Sequence, residues 1–523
     1  MKKIISGIMF MLLILGILIF AVEIKPVKSE PETWIVDDDG PANFHTIQEA
    51  VNAASPGDII YVKAGTYYEH VVVNKTLSLI GENRNGTIID GNSTGTVVKV
   101  TADNVSITGF TIQNSGYETV GFCDVTILWY EGICVYNSSG VNISRNFVVN
   151  NGYGIRLYYS NSNIITENDV SSNWIGIRVD FSIKNVLSAN NISLNTKYGI
   201  RLTASSNNTI FSNIISQDET GISLVSHSNS NTLSSNIVSS NKFGLQLCNS
   251  AENVIHGNNI LDNQYGIYLD SSSNNVFFHN NFNNTIHQVH DISWYNPPDV
   301  VPPSINIWNI GYPSGGNYWS DYNGTDLYSG PYQNETGSDG IGDTAYVIDE
   351  NNKDVYPLMG MIYDFEVEWK GEKFHIEVIS NATVSNLAVV IVLGHFPPYL
   401  PCGQVFIQFF TEDTVNATKF CRVTIPRAIL NGTYIVLIDL KEAPTHEIPT
   451  GNSTHAYLYF TYQHSKQKHE VIIVPEFTLT TTLLVLMIFI LSGTTTLWKI
   501  KKRNPAKYHC IPTMKTSQAE CSP

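Results

Sequence analysis

The chain contains the stretch Gly154-Ile155-Arg156-Leu157, which returns as Gly176-Ile177-Arg178-Val179 and again as Gly199-Ile200-Arg201-Leu202. A period of 22 or 23 residues is too short for helix-pair or propeller-blade repeats, which need roughly 33 to 50 residues. It is typical of one coil of a β-solenoid or of a leucine-rich repeat. The repeated Gly-Ile or Gly-Leu pairs begin at Gly132, Gly154, Gly176, Gly199, Gly221, Gly244 and Gly266.

The residues between the glycines favour the solenoid. Apolar and polar residues alternate after each glycine, which indicates a short strand with one face inward and one outward. Asparagine recurs at the same period in three sets of positions, which we call columns. It suits the sharp corners between strands because it tolerates the left-handed backbone conformation. Its side-chain amides can also form hydrogen bonds with one another along a stack of coils. The LxxLxL pattern of leucine-rich repeats is missing. We therefore predict an all-β fold, a right-handed parallel β-helix with coils of about 22 residues. The columns are Asn146, Asn168, Asn190, Asn213, Asn236, Asn258; Asn163, Asn185, Asn208, Asn231, Asn253, Asn275; and Asn151, Asn173, Asn195, Asp218, Asn241, Asn263.

The β-helix is predicted over residues 30–307, with a cap at each end. Thr46-Ile47-Gln48-Glu49 is a capping box, and an apolar stripe follows it, so a short helix over 46–54 is expected to cover the open end of the core. The repeat stops near Trp308, and residues 308–360 are predicted to form the C-terminal cap.

The start of the predicted rod resembles pectin-lyase-like β-helices. The resemblance lies in Phe44 to Val51, in Gly57-Asp58-Ile59-Ile60-Tyr61-Val62 and in Gly65-Thr66-Tyr67-Tyr68-Glu69. The 22-residue repeats resemble the NosD type, named after a periplasmic protein associated with copper-site maturation. Together these likenesses cover about half of the chain. The resemblance implies the fold, but the fold hosts lyases, hydrolases, esterases and adhesins alike.

The aromatic and Asp-Gly segments of the C-terminal cap resemble the ends of archaeal NosD-like surface proteins. Asp339, Asp343 and Asp349 stand on Gly-rich turns there, and carboxylates on such turns are usual calcium ligands. The full EF-hand spacing is missing, so aspartates that only cap turns are the alternative. Calcium is the one cofactor that the sequence suggests.

Residues 361–473 alternate apolar and polar residues in seven or eight short runs. Such a pattern in about 110 residues predicts an immunoglobulin-like β-sandwich. We expect it to be a stalk between the β-helix and a membrane.

Both ends of the chain carry membrane-type signals. Residues 1–29 begin with two lysines and an apolar run, which predicts a signal peptide or an uncleaved N-terminal anchor. Residues 478–498 contain no charge and are followed by a basic cluster, which predicts one transmembrane helix with a cytoplasmic tail at 504–523. The predicted location is therefore the cell membrane, with a single span and an external ectodomain.

The segment 474–503 resembles the archaeal PEF-CTERM sorting signal. Pro475, Glu476 and Phe477 precede the apolar span and the basic cluster, and the resemblance implies an archaeosortase as a partner. Such signals usually end soon after the cluster, whereas this chain continues to Pro523. A plain membrane anchor is the alternative. Fifteen N-x-S/T sequons precede the span, as in an externally glycosylated protein.

Charge and cysteine content narrow the function classes. The net charge of −16 argues against nucleic-acid binding, which favours basic patches. Two cysteine pairs could form disulfides outside the cell, although spacing alone does not fix the pairing. These candidates are Cys123 with Cys134 and Cys402 with Cys421.

The column Arg156, Arg178 and Arg201, with Asp180 two residues beyond Arg178, is the candidate functional surface. Its guanidinium groups could hold the carboxylates of an acidic polysaccharide. The alternative is that the arginines are only solvated exterior. The Asn-Thr-Asp and Arg-Ile-Lys motifs of polygalacturonases are absent.

Two hypotheses follow, and a third is less favoured. The first is a non-catalytic surface protein that binds carbohydrate or envelope partners. The second is a surface polysaccharide lyase or glycoside hydrolase. A copper-related role as in NosD finds no cluster of His, Met or Cys to support it, since copper needs such side chains to converge.

Overall fold

The computed structural model describes residues 30–120, 126–296, 300–391, 405–449, 452–465 and 467–475. The predicted signal or anchor, the span at 478–498 and the tail lie outside these ranges. Within them, no helix has the length and apolar character needed to cross a membrane.

The rod is a parallel β-solenoid of the right-handed type with about eleven coils, so the predicted fold and coil length are confirmed. Ten coils contribute one strand to each of three parallel sheets, and Thr33–Val36 and Tyr318–Trp319 add one further strand each to sheets A and B. Sheet A contains Thr33–Val36, Ile59–Val62, Ser78–Gly81, Ser106–Thr108, Asn142–Ser144, Ile164–Thr166, Val186–Ser188, Thr209–Phe211, Thr232–Ser234, Val254–His256 and Val276–Phe278.

Sheets B and C complete the three faces of the rod. Sheet B contains Gly65–Tyr68, Thr87–Asp90, Thr111–Gln113, Phe147–Val149, Asp169–Ser171, Asn191–Ser193, Ile214–Ser216, Ile237–Ser239, Asn259–Leu261, Asn281–Asn283 and Tyr318–Trp319. Sheet C contains Val71–Val73, Val98–Val100, Glu131–Tyr136, Tyr153–Tyr158, Ile175–Asp180, Tyr198–Thr203, Thr220–Val225, Phe243–Cys248, Tyr265–Asp270 and His287–Asp291.

The repeated glycines mark places where consecutive coils approach closely. A Cβ atom added at Gly176 would lie 2.6 Å from the carbonyl oxygen of Gly199 in the next coil. A Cβ at Gly221 would lie 2.7 Å from the carbonyl oxygen of Gly244. Only glycine fits this spacing, which explains why the period is so clear in the sequence.

The asparagine columns form hydrogen-bonded ladders inside the corners. The Asn168 Oδ1 atom accepts from the backbone N–H and the side-chain amide of Asn146, both at 3.1 Å. The Asn168 amide in turn donates to the carbonyl of Ile143 and to Oδ1 of Asn190. One buried amide thereby forms hydrogen bonds with several buried backbone and side-chain groups, which would otherwise lack partners away from water.

A fourth ladder, made of serines, escaped the sequence analysis. The hydroxyl of Ser182 accepts from the backbone N–H of Ser160, and the hydroxyl of Ser205 accepts from that of Ser182. The signal was available, because these serines recur at the same period. The members are Ser138, Ser160, Ser182, Ser205, Ser228, Ser250, Ser272 and Ser304.

Each end of the solenoid core is covered. At the N-terminal end the helix Ile47–Ala53 buries one apolar face, and Thr46 caps it by accepting from the N–H of Glu49. At the other end Trp308 stacks on Phe277 at 4.3 Å, and Trp319 stacks on Phe282 at 4.5 Å. The C-terminal end also has a 3-10 helix, Ile292–Tyr295, and two hairpins, Tyr328–Ser329 with Glu335–Thr336 and Tyr346–Val347 with Lys353–Asp354.

The C-terminal unit consists of two antiparallel five-stranded sheets with a shared apolar core. One sheet contains Met361–Trp369, Glu372–Ser380, Thr418–Pro426, Thr445–Glu447 and His455–Gln463. The other contains Thr383–Ile391, Val405–Glu412, Tyr434–Ile438, Lys441–Ala443 and Lys468–Pro475.

This sandwich is joined directly to the rod. The side chain of Asn281 accepts from the N–H of Ile362 and donates to its carbonyl, at 2.8 and 2.9 Å. The buried His279 hydrogen-bonds to Glu377 at 3.0 Å. The buried Arg422 donates to the carbonyl of Pro313 in the cap. Polar contacts therefore fix the position of the sandwich against the last coils.

Candidate functional site

The outward face of sheet C carries the predicted arginine column. In each strand the residues on either side of the arginine point into the core, as Ile177 and Val179 do, so the arginine between them faces outward. Arg178 lies in register between Arg156 and Arg201. The full outward column runs through Val72, Lys99, Cys134, Arg156, Arg178, Arg201, Ser223, Gln246, Tyr268 and His290.

Asp180 joins two of these arginines. Its carboxylate accepts from Nε of Arg156 at 2.9 Å and from Nε of Arg178 at 2.7 Å. The Asp180 side chain is only 1% exposed, whereas the two arginine side chains are 21% and 23% exposed. The structure therefore places the carboxylate of Asp180, a candidate from the sequence, against the guanidinium groups of Arg156 and Arg178.

Glu131 is a second carboxylate at this site, and the sequence analysis missed it. Its Oε1 atom accepts from Nη1 of Arg156 at 3.0 Å, and its Oε2 atom accepts from the hydroxyl of Thr96 at 2.5 Å. Burial lowers the pKa of Arg156, but Asp180 and Glu131 outweigh that effect and raise it. Arg156 is therefore a fixed, permanently charged group.

Two cations of the column stay without a carboxylate among the described residues. These are Lys99 and Arg201, and the Nε atom of Arg201 is buried without a hydrogen-bond partner there. Arg178 uses only Nε for its ion pair, and its two terminal nitrogens make no hydrogen bond to a described residue. Four cations thus face two carboxylates, so this strip is positive on a chain of net charge −16.

Aromatic rings hold the arginines in place. The guanidinium carbon of Arg156 lies 4.5 Å from the ring centroid of Tyr158. The corresponding distances are 4.8 Å for Arg178 over Tyr153 and 4.6 Å for Arg201 over Tyr198. Such cation–π contacts orient the planar groups and reduce the entropy lost when they bind a ligand.

An insertion forms a wall beside the column. The hairpin Tyr117–Val120 and Thr126–Trp129 leaves the rod just before the first six-residue strand of sheet C. Trp129 stacks on Trp174 at 5.3 Å, and the Tyr130 hydroxyl donates to Glu118 at 2.9 Å. Next to this wall lies a cavity of about 450 Å³, and its lining includes Lys99, Glu131, Arg156 and Arg178.

This arrangement is suited to binding carboxylates. Terminal guanidinium nitrogens can form paired hydrogen bonds with a planar carboxylate, and aromatic rings beside them can stack on sugar rings. General acid–base chemistry instead needs a carboxyl, imidazole, amine, phenol or thiol group that is available to a substrate proton. Glu131 and Asp180, the two carboxylates of the column, are both engaged by arginine.

The predicted calcium ligands occupy separate turns. Asp343 accepts from the N–H groups of Leu327 and Tyr328, at 2.9 and 3.0 Å. Asp349 accepts from the backbone N–H of Asn352, and the buried Asp339 accepts from that of Ile341. Asp339 and Asp349 thus cap turns, whereas Asp343 binds backbone N–H groups 15 and 16 residues away. Calcium binding at the cap stays a prediction.

The remaining predicted sites lie partly outside the described residues. Cys134 is buried in sheet C and Cys421 is buried in the sandwich, whereas Cys123 and Cys402 are outside the described ranges. Pro475 ends the last strand of the sandwich, and Glu476 and Phe477 are outside. Both disulfides and the sorting signal therefore stay predictions.

The family assignment agrees with this architecture. Residues 50–232 and 185–324 match the family described as "Periplasmic copper-binding protein (NosD)". Together they span more than half of the 523 residues. The chain belongs to the NosD family. In this NosD-family chain the matched residues are the solenoid and the beginning of its C-terminal cap.

The family description implies a copper site, and the positions of the possible ligand side chains show whether such a site fits this chain. The rings of His287 and His290 lie 5.7 Å apart on the outer face of sheet C. His256 stacks on Phe278, and both ring nitrogens of His279 already have partners. Among the described residues, the one converging group of three His, Cys, Asp or Glu side chains is Asp37, Asp38 and Asp39. Three carboxylates are not a copper-type donor set, so these residues do not fit the copper site that the description implies.

Short segments of the NosD-family chain are similar to plant enzymes. It is 37% identical over 95 residues to pectinesterase 2 of Citrus sinensis, covering 16% of this chain and 19% of that protein. It is 32% identical over 96 residues to the probable pectinesterase 56 of Arabidopsis thaliana, covering 17% of this chain and 32% of that protein. The chain spans about a third or less of the length of these relatives.

Two solved structures are similar to the chain at low sequence identity. One is the Dettilon tailspike protein, with a TM-score of 0.41 and 11% identity, covering 80% of this chain and 88% of that one. Another is XylC in complex with xylose, with a TM-score of 0.43 and 12% identity, covering 50% of this chain and 69% of that one.

Proposed function

We propose that this NosD-family chain is a membrane-anchored cell-surface protein that binds an acidic polysaccharide along sheet C without cleaving it. The observation that carries the proposal is the in-register column Arg156, Arg178 and Arg201. Neighbouring coils of a parallel solenoid are about 4.8 Å apart, so the column presents cationic groups at regular, short intervals. A polymer with carboxylates along its length matches such a row.

The charge distribution supports an acidic ligand. The chain as a whole is strongly acidic and repels polyanions at long range, whereas the strip around Arg178 is positive. Screening at physiological ionic strength limits the repulsion to about 8 Å, so the local cations decide at contact distance. Binding should therefore weaken as salt is added.

The state of the carboxylates supports binding without cleavage. Elimination or hydrolysis would need a base or acid near the sugar, and Glu131 and Asp180 are both neutralised by arginine. A lyase or hydrolase activity is the alternative function. It would require one of these ion pairs to open when a polysaccharide binds, or another group at the column, such as Lys99 or Tyr158, to transfer the proton.

The test measures both binding and cleavage by the full-length protein. Polygalacturonate and alginate are the acidic probes, and dextran is the neutral one. We expect the acidic polymers to bind, and Arg178→Ala and Arg201→Ala each to weaken binding about tenfold to a hundredfold, since a charge-assisted hydrogen bond contributes about 1.5–3 kcal/mol. The matched control is Arg145→Ala, which removes an exposed arginine paired with Glu167 away from sheet C.

Two results would contradict the proposal. If Arg145→Ala weakens binding as much as Arg178→Ala, the ligand does not use the column. If new reducing ends or unsaturated sugars form in the wild type and not in Arg178→Ala, the protein is an enzyme and the alternative is correct.

A further inference from the structure

The C-terminal end of sheet C carries a contiguous group of rings, here named the ring platform. It continues the outward face of the arginine column, because Arg201, Ser223, Gln246 and Tyr268 are consecutive members of one register. Its members are Phe243, Tyr265, Tyr268, His287, His290 and Trp294.

The rings of the platform lie close enough to form one surface. Tyr265 lies 5.2 Å from Phe243 and 5.1 Å from His290, measured between ring centroids. His290 lies 5.5 Å from Tyr268 and 5.6 Å from Trp294. The surface is open to solvent at its edge, where Trp294 is 37% exposed.

The platform differs from the arginine column in charge. Burial lowers the pKa of His290, which favours the neutral ring. The cation beside the rings is Lys242, which lies over Phe243, and the carboxylate of Asp270 stands in the strand that contains Tyr265 and Tyr268. The indole N–H of Trp294 donates to the carboxylate of Asp349 at 3.3 Å. One lysine and two carboxylates thus lie at the platform, so it has no excess of positive charge and favours an uncharged sugar.

A polymer can reach both places along one path. Three coil steps separate Arg201 from Tyr268, about 14 Å at 4.8 Å per step. The two outward residues between them are Ser223, which is fully buried, and Gln246, to which its hydroxyl donates. Ser223 has no exposed surface although it faces outward, so adjacent side chains such as Gln246 cover it, and a polymer would pass over them between the two places.

The distribution of sequons leaves the sheet C strands of the ring platform free, whereas Asn74 and Asn137 directly follow sheet C strands nearer the other end of the rod. None of the fifteen N-x-S/T asparagines lies in a strand of sheet C, whereas Asn142 lies in sheet A and Asn191 and Asn283 lie in sheet B. Glycans at the sequons of those strands would project from the other two faces. This observation is independent of the charges and rings of sheet C.

We infer that the ring platform is a second carbohydrate subsite, which stacks an uncharged sugar of the same polysaccharide whose charged sugars bind the arginine column. The inference rests on the proposed function and specifies its ligand: a polymer that contains both charged and uncharged sugars. Aromatic faces stack on the apolar faces of such sugars, as they do on other planar or apolar ligands.

The experiment compares two probes on the full-length protein. Polygalacturonate carries a charge on every sugar, and partially methyl-esterified pectin carries uncharged sugars as well. We expect Tyr265→Ala and Trp294→Ala each to weaken binding of the esterified pectin about fivefold to tenfold, because one aromatic contact contributes about 1 kcal/mol. Binding of polygalacturonate should change less than about twofold, since it uses the cations.

Two variants serve as controls. Tyr265→Phe keeps the ring and should bind esterified pectin like the wild type. Phe211→Ala removes an exposed ring from sheet A and should bind both probes normally. Thermal unfolding of every variant separates loss of binding from loss of folding.

The possible outcomes distinguish a failure of the ring platform from a failure of the proposed function. If Tyr265→Ala and Trp294→Ala bind esterified pectin normally while Arg178→Ala does not, the platform is no subsite and the proposed function stands. If they weaken both probes equally, the platform does not select uncharged sugars and the inference fails. If the wild type binds neither probe, the proposed function fails for these polymers and the inference fails with it.

Discussion

The side-chain amide of Asn195 donates to the Oδ1 atom of Asp218 at 3.1 Å, where an aspartate interrupts the asparagine ladder that runs from Asn151 to Asn263. The other carboxylate oxygen, Oδ2, is buried and has no partner among the described residues. An asparagine in its place would present an amide that can donate, as Asn195 itself does to the carbonyl of Val170. The ladder is therefore weakest at this step.

Asp218→Asn is expected to stabilise the protein. Burial raises the pKa of Asp218 to about 8, against an ordinary value near 4. The pKa of Asp218 is higher in the folded state than in the unfolded state. Its contribution to the stability of the wild type is therefore largest below about pH 4 and is lost as pH rises towards 8. At pH 8 the variant should gain about 1–3 kcal/mol, the cost of an unsatisfied buried group.

The check is chemical unfolding between pH 4 and pH 8.5. The difference in unfolding free energy between Asp218→Asn and wild type should grow with pH across this range. A constant difference would mean that Asp218 does not titrate inside the ladder.

Removing one ladder amide is expected to destabilise the rod. The Asn190 side chain accepts from the N–H of Asn168 and donates to the carbonyl of Ile165, and all of these groups are buried. Asn190→Ala should cost about 2–4 kcal/mol, since two or more buried partners lose their hydrogen bonds. Asn283→Ala is the matched control because Asn283 is exposed at the end of a sheet B strand. Equal melting temperatures for the two variants would show that the ladder contributes little.

Glu131→Gln is expected to strengthen binding of acidic polysaccharides. Glu131 neutralises part of Arg156, and Gln can still hydrogen-bond to Arg156 and Thr96 without a negative charge. Affinity for polygalacturonate at low salt should rise about threefold to tenfold, as expected when one like charge is removed near a bound anion. The gain should shrink at high salt because the effect is Coulombic. An unchanged affinity at low salt would place the ligand away from this end of the column.

The pair His279 and Glu377 is expected to make the contact between rod and sandwich depend on pH. Burial alone would lower the pKa of His279, but the Glu377 carboxylate raises it above its ordinary value. Burial would raise the pKa of Glu377, but His279 lowers it below its ordinary value. The stability that His279 contributes is thus lost as pH rises through its raised pKa. The stability that Glu377 contributes is lost as pH falls through its lowered pKa.

Glu377→Gln tests this pair. The pair is fully formed from about pH 4.3 to about pH 6.5, between the two ordinary pKa values. In that window the variant should lower the unfolding free energy of the protein by roughly 1–3 kcal/mol, and the loss should decrease at higher pH. The exposed pair His375 and Asp364 gives the control, Asp364→Asn, for which a smaller effect is expected. A loss that does not vary with pH would contradict the ion pair.

Much of the rod followed from local sequence, because each coil repeats the same constraints. Gly176 is needed where two coils approach closely, and Asn168 is needed where a corner turns. Each of these requirements recurs after one coil, so it appears as a period. The serine ladder obeys the same logic and could have been found by the same search.

The site followed from sequence only in part. The register placed Arg156, Arg178 and Arg201 in one column, because residues one coil apart become neighbours. Glu131 directly precedes the first repeated glycine, Gly132, and Thr96 lies before the regular repeat begins. The period gave no sign that Glu131 meets Arg156 or that Thr96 meets Glu131. The hairpin wall beside the column likewise interrupts the repeat and has no counterpart in other coils.

The sequence by itself determined the solenoid, its coil length and the outward direction of the arginines. These features depend on the residues within one coil and on the repetition of the same pattern in the next coil. Only the tertiary structure decided which carboxylates neutralise Arg156, that the rings from Phe243 to Trp294 form one surface, and that His279 meets Glu377. Those contacts join residues from different coils or from different domains. Their partners are fixed by three-dimensional packing, which no local period encodes.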